Sequence, residues 1–215
     1  MKLHQFDGSI KKILLCKKKA LFYKAKKEKS IEKIKLKCYN EKEILRREKI
    51  MCKISIELTD GRKMNLELYP EIAPISVENF LSLIKEKFFD GLCFHRVIEG
   101  FMIQGGGFEY KGGLVHKESA KTIKGEFYAN GVQNDLKHVK GVISMARAQD
   151  KNSASSQFFI MHKDGPFLDG SYAAFGHVIE GMEVVDKICE AVEVEDDDGT
   201  VLYENQPVIK SIRLV

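Results

Sequence analysis

The chain has 215 residues, of which 44% are hydrophobic and 31% charged, a size that suits one well-buried core with an appendage rather than two full domains. No window reaches the roughly 18 apolar residues that a membrane span requires, and the N-terminus lacks the apolar run of a secretory signal. Five scattered cysteines without a CxxC pair argue against a disulfide framework or a zinc site, so we expect a cytoplasmic protein with free thiols.

Charge divides the chain at Met51. Residues 1–50 hold 17 basic and 6 acidic residues, which leaves 18 basic and 25 acidic residues for 51–215. Such a basic segment is compatible with a lysine-rich amphipathic helix that binds nucleic acid or an acidic membrane surface. We favour a solvated extension that joins no core. A third alternative is that Met51 is the true start of the protein. Detection of the extension by intact-mass measurement would contradict this alternative.

The first elements after Met51 are a β-hairpin and a helix. Apolar residues alternate with polar ones over residues 54–58 and 64–68, and Thr59-Asp60-Gly61 supplies a turn between them. Pro74 then opens a stripe of apolar residues at three- and four-residue spacing, which predicts a helix with one buried face.

Short apolar runs between turn signals follow, at residues 93–98, 101–104, 142–145, 158–161 and 173–179. A second helix is predicted after Gly181, and a last strand over residues 208–214. Many short strands of this kind are typical of a sandwich or barrel. The sequence therefore predicts a mainly-β protein, an antiparallel barrel flanked by two helices. The acidic run at residues 193–199 is interpreted as a solvated loop with a turn at Asp198-Gly199.

The run FHRVIEGFMIQGG at residues 94–106 places polar groups in an apolar setting. Strict alternation would put Phe94, Arg96 and Ile98 on one face of a strand, and Gln104 would follow on the next strand. Taken alone, one arginine in a strand is more often a surface charge than a catalyst. Gly105 to Gly107 are followed by no GK[ST] motif, so we expect them to form a turn rather than a phosphate-binding loop.

Three further motifs occur downstream: GVISMARA, SASSQFFIM and FLDGSYAAFGHV. Together with FHRVIEGFMIQGG they have the order and spacing of the cyclophilin family, which residues 51–215 resemble throughout. The resemblance implies an eight-stranded antiparallel β-barrel capped by two helices, in agreement with the pattern of elements. It also implies a peptidyl-prolyl cis-trans isomerase that assists protein folding and acts on proline-containing peptides and unfolded proteins. The sequence has no heptad repeat or exposed apolar strip, so we expect a monomer. The histidines lack the spacing of metal ligands and the rotation needs no bond to a metal, so we expect no metal or cofactor.

The resemblance assigns roles by matching position. Arg96 matches the catalytic arginine, and Gln104 matches the residue that holds a substrate carbonyl. The backbone of Ala146, Arg147 and Ala148 matches the segment that pairs with an extended substrate. The remaining matches are those lining the proline pocket, namely Phe101, Met102, Phe159 and Leu168, and a polar residue behind the catalytic face, Gln157.

Three positions at the edge of the predicted pocket depart from the best-known family pattern. Phe167 replaces a tryptophan and lacks its indole N–H donor, so we expect cyclosporin to bind weakly. Tyr172 replaces a histidine but still offers a ring wall. Arg147 occupies a position that is often asparagine, and its charge predicts a preference for acidic substrates.

Another class of function remains open from the sequence. A peptide-binding or holdase module could retain the pocket with little turnover and use the basic extension as a tether to nucleic acid or ribosomes. Retention of both Arg96 and Gln104 favours the enzyme.

Overall fold

The computed structural model describes residues 52–117, 121–202 and 206–215, so the predictions for residues 1–50 and for Met51 lie outside the described residues. The described residues form nine strands and two α-helices. In chain order these are β1 (Cys52–Leu58), β2 (Lys63–Leu68), α1 (Pro74–Lys85), β3 (Leu92–Ile98), β4 (Met102–Tyr110), β5 (Leu114–His116), β6 (Val142–Met145), β7 (Phe158–Met161), β8 (Ala174–Glu180), α2 (Met182–Ala191) and β9 (Ile209–Leu214). Neither helix is long and apolar enough to cross a membrane.

Eight of the strands form one antiparallel sheet in the order β3-β4-β7-β6-β8-β2-β1-β9. The sheet curls until β3 meets the segment entering β9, where the Gly91 N–H donates to the Ile209 carbonyl at 2.9 Å and the Phe94 N–H donates to the Pro207 carbonyl at 3.0 Å. The predicted antiparallel barrel with two helices is therefore confirmed. The three-residue strand β5, which the sequence did not predict, pairs with β4 outside the barrel order.

Alternation along the strands sorts apolar side chains into two buried clusters. The larger cluster fills the barrel interior and packs against α1 and α2, and it includes Phe80, Phe158 and Phe175. A smaller cluster, called the outer cluster below, lies on the opposite face of β4, β6, β7 and β8, and it includes Met102 and Phe159. Neighbouring residues such as Phe158 and Phe159 thus point to different clusters, because successive side chains of a strand alternate between faces.

The N-terminus of α1 is capped by a residue far away in sequence. No side chain next to Pro74 caps the helix. Instead the buried Glu126 carboxylate accepts hydrogen bonds from the Ile75 N–H at 3.0 Å and from the Ser76 N–H and hydroxyl, both at 2.7 Å. A negative charge at this helix end is stabilised by unpaired N–H groups and by the helix dipole, so this contact fastens the loop after residue 121 to α1.

A β-bulge in β3 corrects the predicted facing of its side chains. Phe94 pairs with Gly105 and Arg96 pairs with Gln104, so His95 has no residue opposite it. Phe94 and Val97 both belong to the barrel core, whereas Ile98 packs against the outer cluster. The prediction that Phe94 shares a face with Arg96 is wrong, because the extra residue shifts the alternation.

The glycine run forms part of a strand rather than the predicted turn. Gly105 to Gly107 lie within β4, and Gly106 has a φ of +83°. A Cβ atom at Gly107 would lie 2.4 Å from Cγ of Gln157, and one at Gly106 would lie 2.7 Å from the Ser156 carbonyl oxygen. The glycines therefore permit the chain at residues 156–157 to pass close over β4.

Candidate active site

A cleft opens over the outer apolar cluster. It is lined by ten of the twelve residues that the family resemblance singled out, together with Ser171. The lining residues are Arg96, Phe101, Met102, Gln104, Ala146, Arg147, Phe159, Phe167, Leu168, Ser171 and Tyr172. Residues that are as much as 76 positions apart in sequence are thus gathered around one opening.

Pairing between neighbouring strands assembles the floor of the cleft. Met102 and Gln104 point to the same face of β4, and Gln104 pairs directly with Phe159 on β7. The side chains of Met102, Phe159 and Leu168 are more than nine-tenths buried. This part of the cleft is therefore apolar and shielded from water.

Arg96 forms one wall of the cleft and is oriented by two neutral oxygen atoms. Its Nε–H donates to the Asp198 carbonyl at 2.7 Å, and its Nη1 donates to Oε1 of Gln104 at 3.3 Å. The Gln104 amide in turn donates to Oε1 of Gln157 at 2.9 Å. The guanidinium is thus the middle of a hydrogen-bonded row, and Gln157 lies at its end, behind the cleft rather than in its lining.

The loop that supplies the Asp198 carbonyl is fastened along β3. The Val97 N–H donates to the Gly199 carbonyl at 2.8 Å, and the Val201 N–H donates to the His95 carbonyl at 3.0 Å. Within the loop, the Asp196 carboxylate accepts from the Thr200 N–H and hydroxyl, and these hydrogen bonds lower the pKa of Asp196 despite opposing desolvation. The predicted turn at Asp198-Gly199 therefore lies directly behind Arg96.

Aromatic rings border the opening of the cleft. Phe167 is 70% exposed, and its ring centre lies 5.4 Å from that of Phe101. Tyr172 contacts Phe159 edge-on, with ring centres 5.8 Å apart. Ala148, the one remaining predicted residue, is exposed just outside the lining.

Behind the floor, a buried histidine supports Phe159. The His138 ring stacks on Phe159 with centres 6.0 Å apart. Its Nδ1 lies 3.1 Å from Oδ1 of Asp169, and its Nε2 lies 3.1 Å from Oγ of Ser144. Burial lowers the pKa of His138, although Asp169 opposes the shift. His138 therefore connects β6 to the turn that carries Leu168.

This serine, histidine and aspartate are not a hydrolytic triad. Ser144 is fully buried, and the Phe159 side chain of β7 lies across from it on the cleft side. A nucleophile must reach the substrate carbonyl, which Ser144 cannot do. No group of three His, Cys, Asp or Glu side chains among the described residues could hold a metal ion.

Sequence reasoning missed three contributors to this site: Ser171, His138 and the backbone carbonyl of Asp198. A carbonyl oxygen is present in every residue, so no sequence signal marks the one that faces Arg96. Ser171 and His138 each lie in a loop without periodicity, where their neighbours depend on tertiary packing.

Comparison with known proteins agrees with this geometry. The family model described as cyclophilin type peptidyl-prolyl cis-trans isomerase/CLD matches residues 53–213. A peptidyl-prolyl cis-trans isomerase of Acinetobacter baylyi is 48% identical over 135 residues, which cover 60% of this chain and 68% of the relative. Peptidyl-prolyl cis-trans isomerase A of Dickeya dadantii is 40% identical over 166 residues, which cover 73% of this chain and 82% of the relative.

Among solved structures, a cyclophilin type isomerase of Cryptosporidium parvum, crystallised in the presence of the dipeptide Ala-Pro, superimposes with a TM-score of 0.61. It is 28% identical in sequence, and the alignment covers 76% of this chain and 98% of that one. Barrel, cleft and relatives define one class, and the chain belongs to the cyclophilin family. It is a peptidyl-prolyl cis-trans isomerase, an enzyme whose general role is to assist protein folding.

Proposed function

We propose that the cleft is the catalytic site of this isomerase, with Arg96 as the catalytic residue and Gln104 as the group that holds a substrate carbonyl. The observation that carries the assignment is the guanidinium of Arg96 in the wall of a cleft whose floor is apolar and buried. The floor formed by Met102, Phe159 and Leu168 suits a proline ring, and Phe101 flanks it.

The reaction requires no nucleophile. Rotation about a peptide bond has a barrier of roughly 18–20 kcal/mol because the nitrogen lone pair is delocalised into the carbonyl. A guanidinium N–H that donates to the prolyl nitrogen binds the lone pair as it localises in the twisted state, and binds the planar state much less. Nε and Nη1 of Arg96 are already engaged, so Nη2 is the donor proposed for this contact.

An extended substrate would bind along the backbone at Arg147. The Ala146 N–H donates to the Gln157 carbonyl, and the Ala148 N–H donates to Oγ of Ser153. Within the part of the chain that the structure describes, no hydrogen bond engages the backbone N–H or carbonyl of Arg147. Addition of a peptide strand at such an edge would satisfy both groups.

Replacement of Arg96 tests the assignment. We expect Arg96→Ala to lower kcat by about 10²-fold or more for a short proline peptide, the loss typical for one transition-state donor. Catalysed cis-trans exchange, measured by NMR, gives the rate. Arg62→Ala is the matched control, because Arg62 lies in the turn between β1 and β2 and, among the described residues, its side chain is bonded only to Asp60. Equal rates for the two variants would contradict the assignment.

The substrates proposed are flexible proline-containing segments and unfolded proteins. We also propose that cyclosporin binds weakly, because the exposed Phe167 offers no N–H donor where a tryptophan would. Calorimetric titration of Phe167→Trp beside the unmodified protein tests this. A gain in cyclosporin affinity of about tenfold is expected, and no gain would contradict the role given to this position.

For residues 1–50 we propose a basic, lysine-rich extension to an isomerase domain of residues 51–215. Its excess of positive charge supports weak, salt-dependent binding of nucleic acid as a secondary property. Titration of the full chain and of residues 51–215 against an oligonucleotide at two salt concentrations tests this. Equal binding by both would exclude the extension as a tether.

We propose a cytoplasmic monomer. Cys52, Cys93 and Cys189 are free thiols in the structure, which suits a reducing compartment. Cell fractionation and analytical ultracentrifugation of the full chain test the two parts of this proposal.

A further inference from the structure

The side chain of Arg147 is bonded to two separate segments at the mouth of the cleft. Its Nε and Nη2 donate to the Ser171 carbonyl at 3.3 and 3.0 Å. Its Nη1 donates to the carbonyls of Ala148 and Gln149, at 2.9 and 3.3 Å. We call residues 146–149 and 171–172 the rim, and Arg147 is bonded to both of its parts.

Two aromatic rings fix the same guanidinium. Its central carbon lies 4.6 Å from the ring centre of Tyr172 and 5.2 Å from that of Phe127. Phe127 is 1% exposed and belongs to the barrel core, whereas Tyr172 contacts the cleft floor through Phe159. The guanidinium therefore connects the core to the wall of the cleft.

We propose that Arg147 is a positioning residue, which holds the rim in the conformation that receives an extended peptide. This proposal rests on the assignment of the cleft as the peptide site. Four of its hydrogen bonds go to carbonyl oxygens of the protein itself, and a planar guanidinium can make them together because its donors point in fixed directions. A lysine ammonium carries the same charge but cannot reproduce this fork.

The proposal replaces the expectation that the charge of Arg147 selects acidic substrates. Donors that are already engaged by Ser171, Ala148 and Gln149 would have to leave these carbonyls before they could bind a substrate carboxylate. The contribution of Arg147 is instead a rim that is ordered before the peptide arrives, which removes part of the ordering cost of binding. The effect should therefore fall on KM rather than on kcat, and it should be the same for acidic and neutral peptides.

The test compares Arg147→Lys and Arg147→Ala in the full chain, with Arg62→Lys as the matched control. Arg62 is also a hydrogen-bonded arginine, but it lies outside the cleft lining. Steady-state isomerisation is measured with one neutral proline peptide and one that carries glutamate next to the proline. Amide hydrogen exchange is followed at Ala148 and Tyr172, whose N–H groups donate to Ser153 and Leu168.

Both Arg147 variants should raise KM about tenfold for both peptides and speed exchange at both amides, whereas Arg62→Lys should change neither. A lysine variant with unchanged KM, beside an alanine variant that loses only the acidic peptide, would overturn the proposal in favour of charge recognition. Unchanged exchange in both variants would overturn the ordering role. Faster exchange with unchanged KM would also overturn the proposal, because it would mean that the order of the rim does not affect peptide binding. That outcome would leave the assignment of Arg96 intact, because Arg96→Ala tests it separately.

Discussion

Gly199 offers a way to disturb Arg96 without changing any side chain of the cleft. Its φ of +83° is a conformation that L-residues with a Cβ atom rarely adopt. A Cβ atom there would lie 2.4 Å from the Val97 carbonyl oxygen and 2.7 Å from Cγ1 of Ile98. Gly199→Ala must therefore move the loop away from β3, and the Asp198 carbonyl that bonds Arg96 would move with it.

The size of the effect follows from the contacts that are lost. The positive φ alone costs roughly 1–2 kcal/mol for a residue with a side chain. A hydrogen bond to a charged group contributes about 1.5–3 kcal/mol. If the bond from Arg96 to the Asp198 carbonyl acts wholly through the orientation of the guanidinium, its loss lowers kcat/KM by about 10- to 100-fold.

Gly61→Ala is the matched control for this experiment. Gly61 has a φ of +87°, but nothing lies within 4 Å of the Cβ atom that would be added. It lies in the turn between β1 and β2, so the control carries the same backbone cost without any contact with Arg96. Catalysed exchange of a proline peptide gives kcat/KM, and urea unfolding gives the free energy of unfolding. Equal kcat/KM for Gly199→Ala and Gly61→Ala would refute a positioning role for the loop.

Two further predictions concern stability. Glu126→Ala should lower the free energy of unfolding by about 3 kcal/mol, because three donors at the start of α1 lose their acceptor. Urea unfolding measures this loss, and a loss under about 1 kcal/mol would contradict the capping role of Glu126. Burial lowers the pKa of His95 to about 4 from its ordinary value near 6.5, so the folded state resists a proton that the unfolded state accepts. The free energy of unfolding should keep its full value above pH 6.5 and fall by about 3 kcal/mol as the pH drops from 6.5 towards 4. His95→Gln should remove most of this pH dependence.

The parts of the site that the sequence predicts are those that adjacent strands bring together. Arg96 and Gln104 are eight residues apart in one hairpin, and their direct pairing follows from that short connection. The hairpin of β1 and β2 and both helices are predicted for the same reason, because periodicity and turn residues act locally. Phe159 reaches Gln104 only through the pairing of β7 with β4, and there the family motifs supplied what periodicity could not.

Contacts across long stretches of chain were beyond prediction. Asp198 bonds Arg96 over a separation of 102 residues, and Glu126 caps a helix that begins 52 positions earlier. The bulge at His95 depends on β4 as much as on β3, since the pairing partner decides which residue is extra. Such features are determined by the packed barrel and not by the residues next to them.

The partners of Arg96 explain how one arginine can be both fixed and available. A carboxylate beside it would orient the guanidinium equally well but would also neutralise its charge. In the described part of the chain no carboxylate lies within ion-pair distance of Arg96, and its two bonds go to neutral oxygens of Asp198 and Gln104. In the loop that supplies the Asp198 carbonyl, the Asp196 carboxylate is engaged by Thr200. In the catalytic role proposed for Arg96, orientation without neutralisation would preserve the positive charge for the prolyl nitrogen, which is the condition that a preorganised transition-state donor must meet.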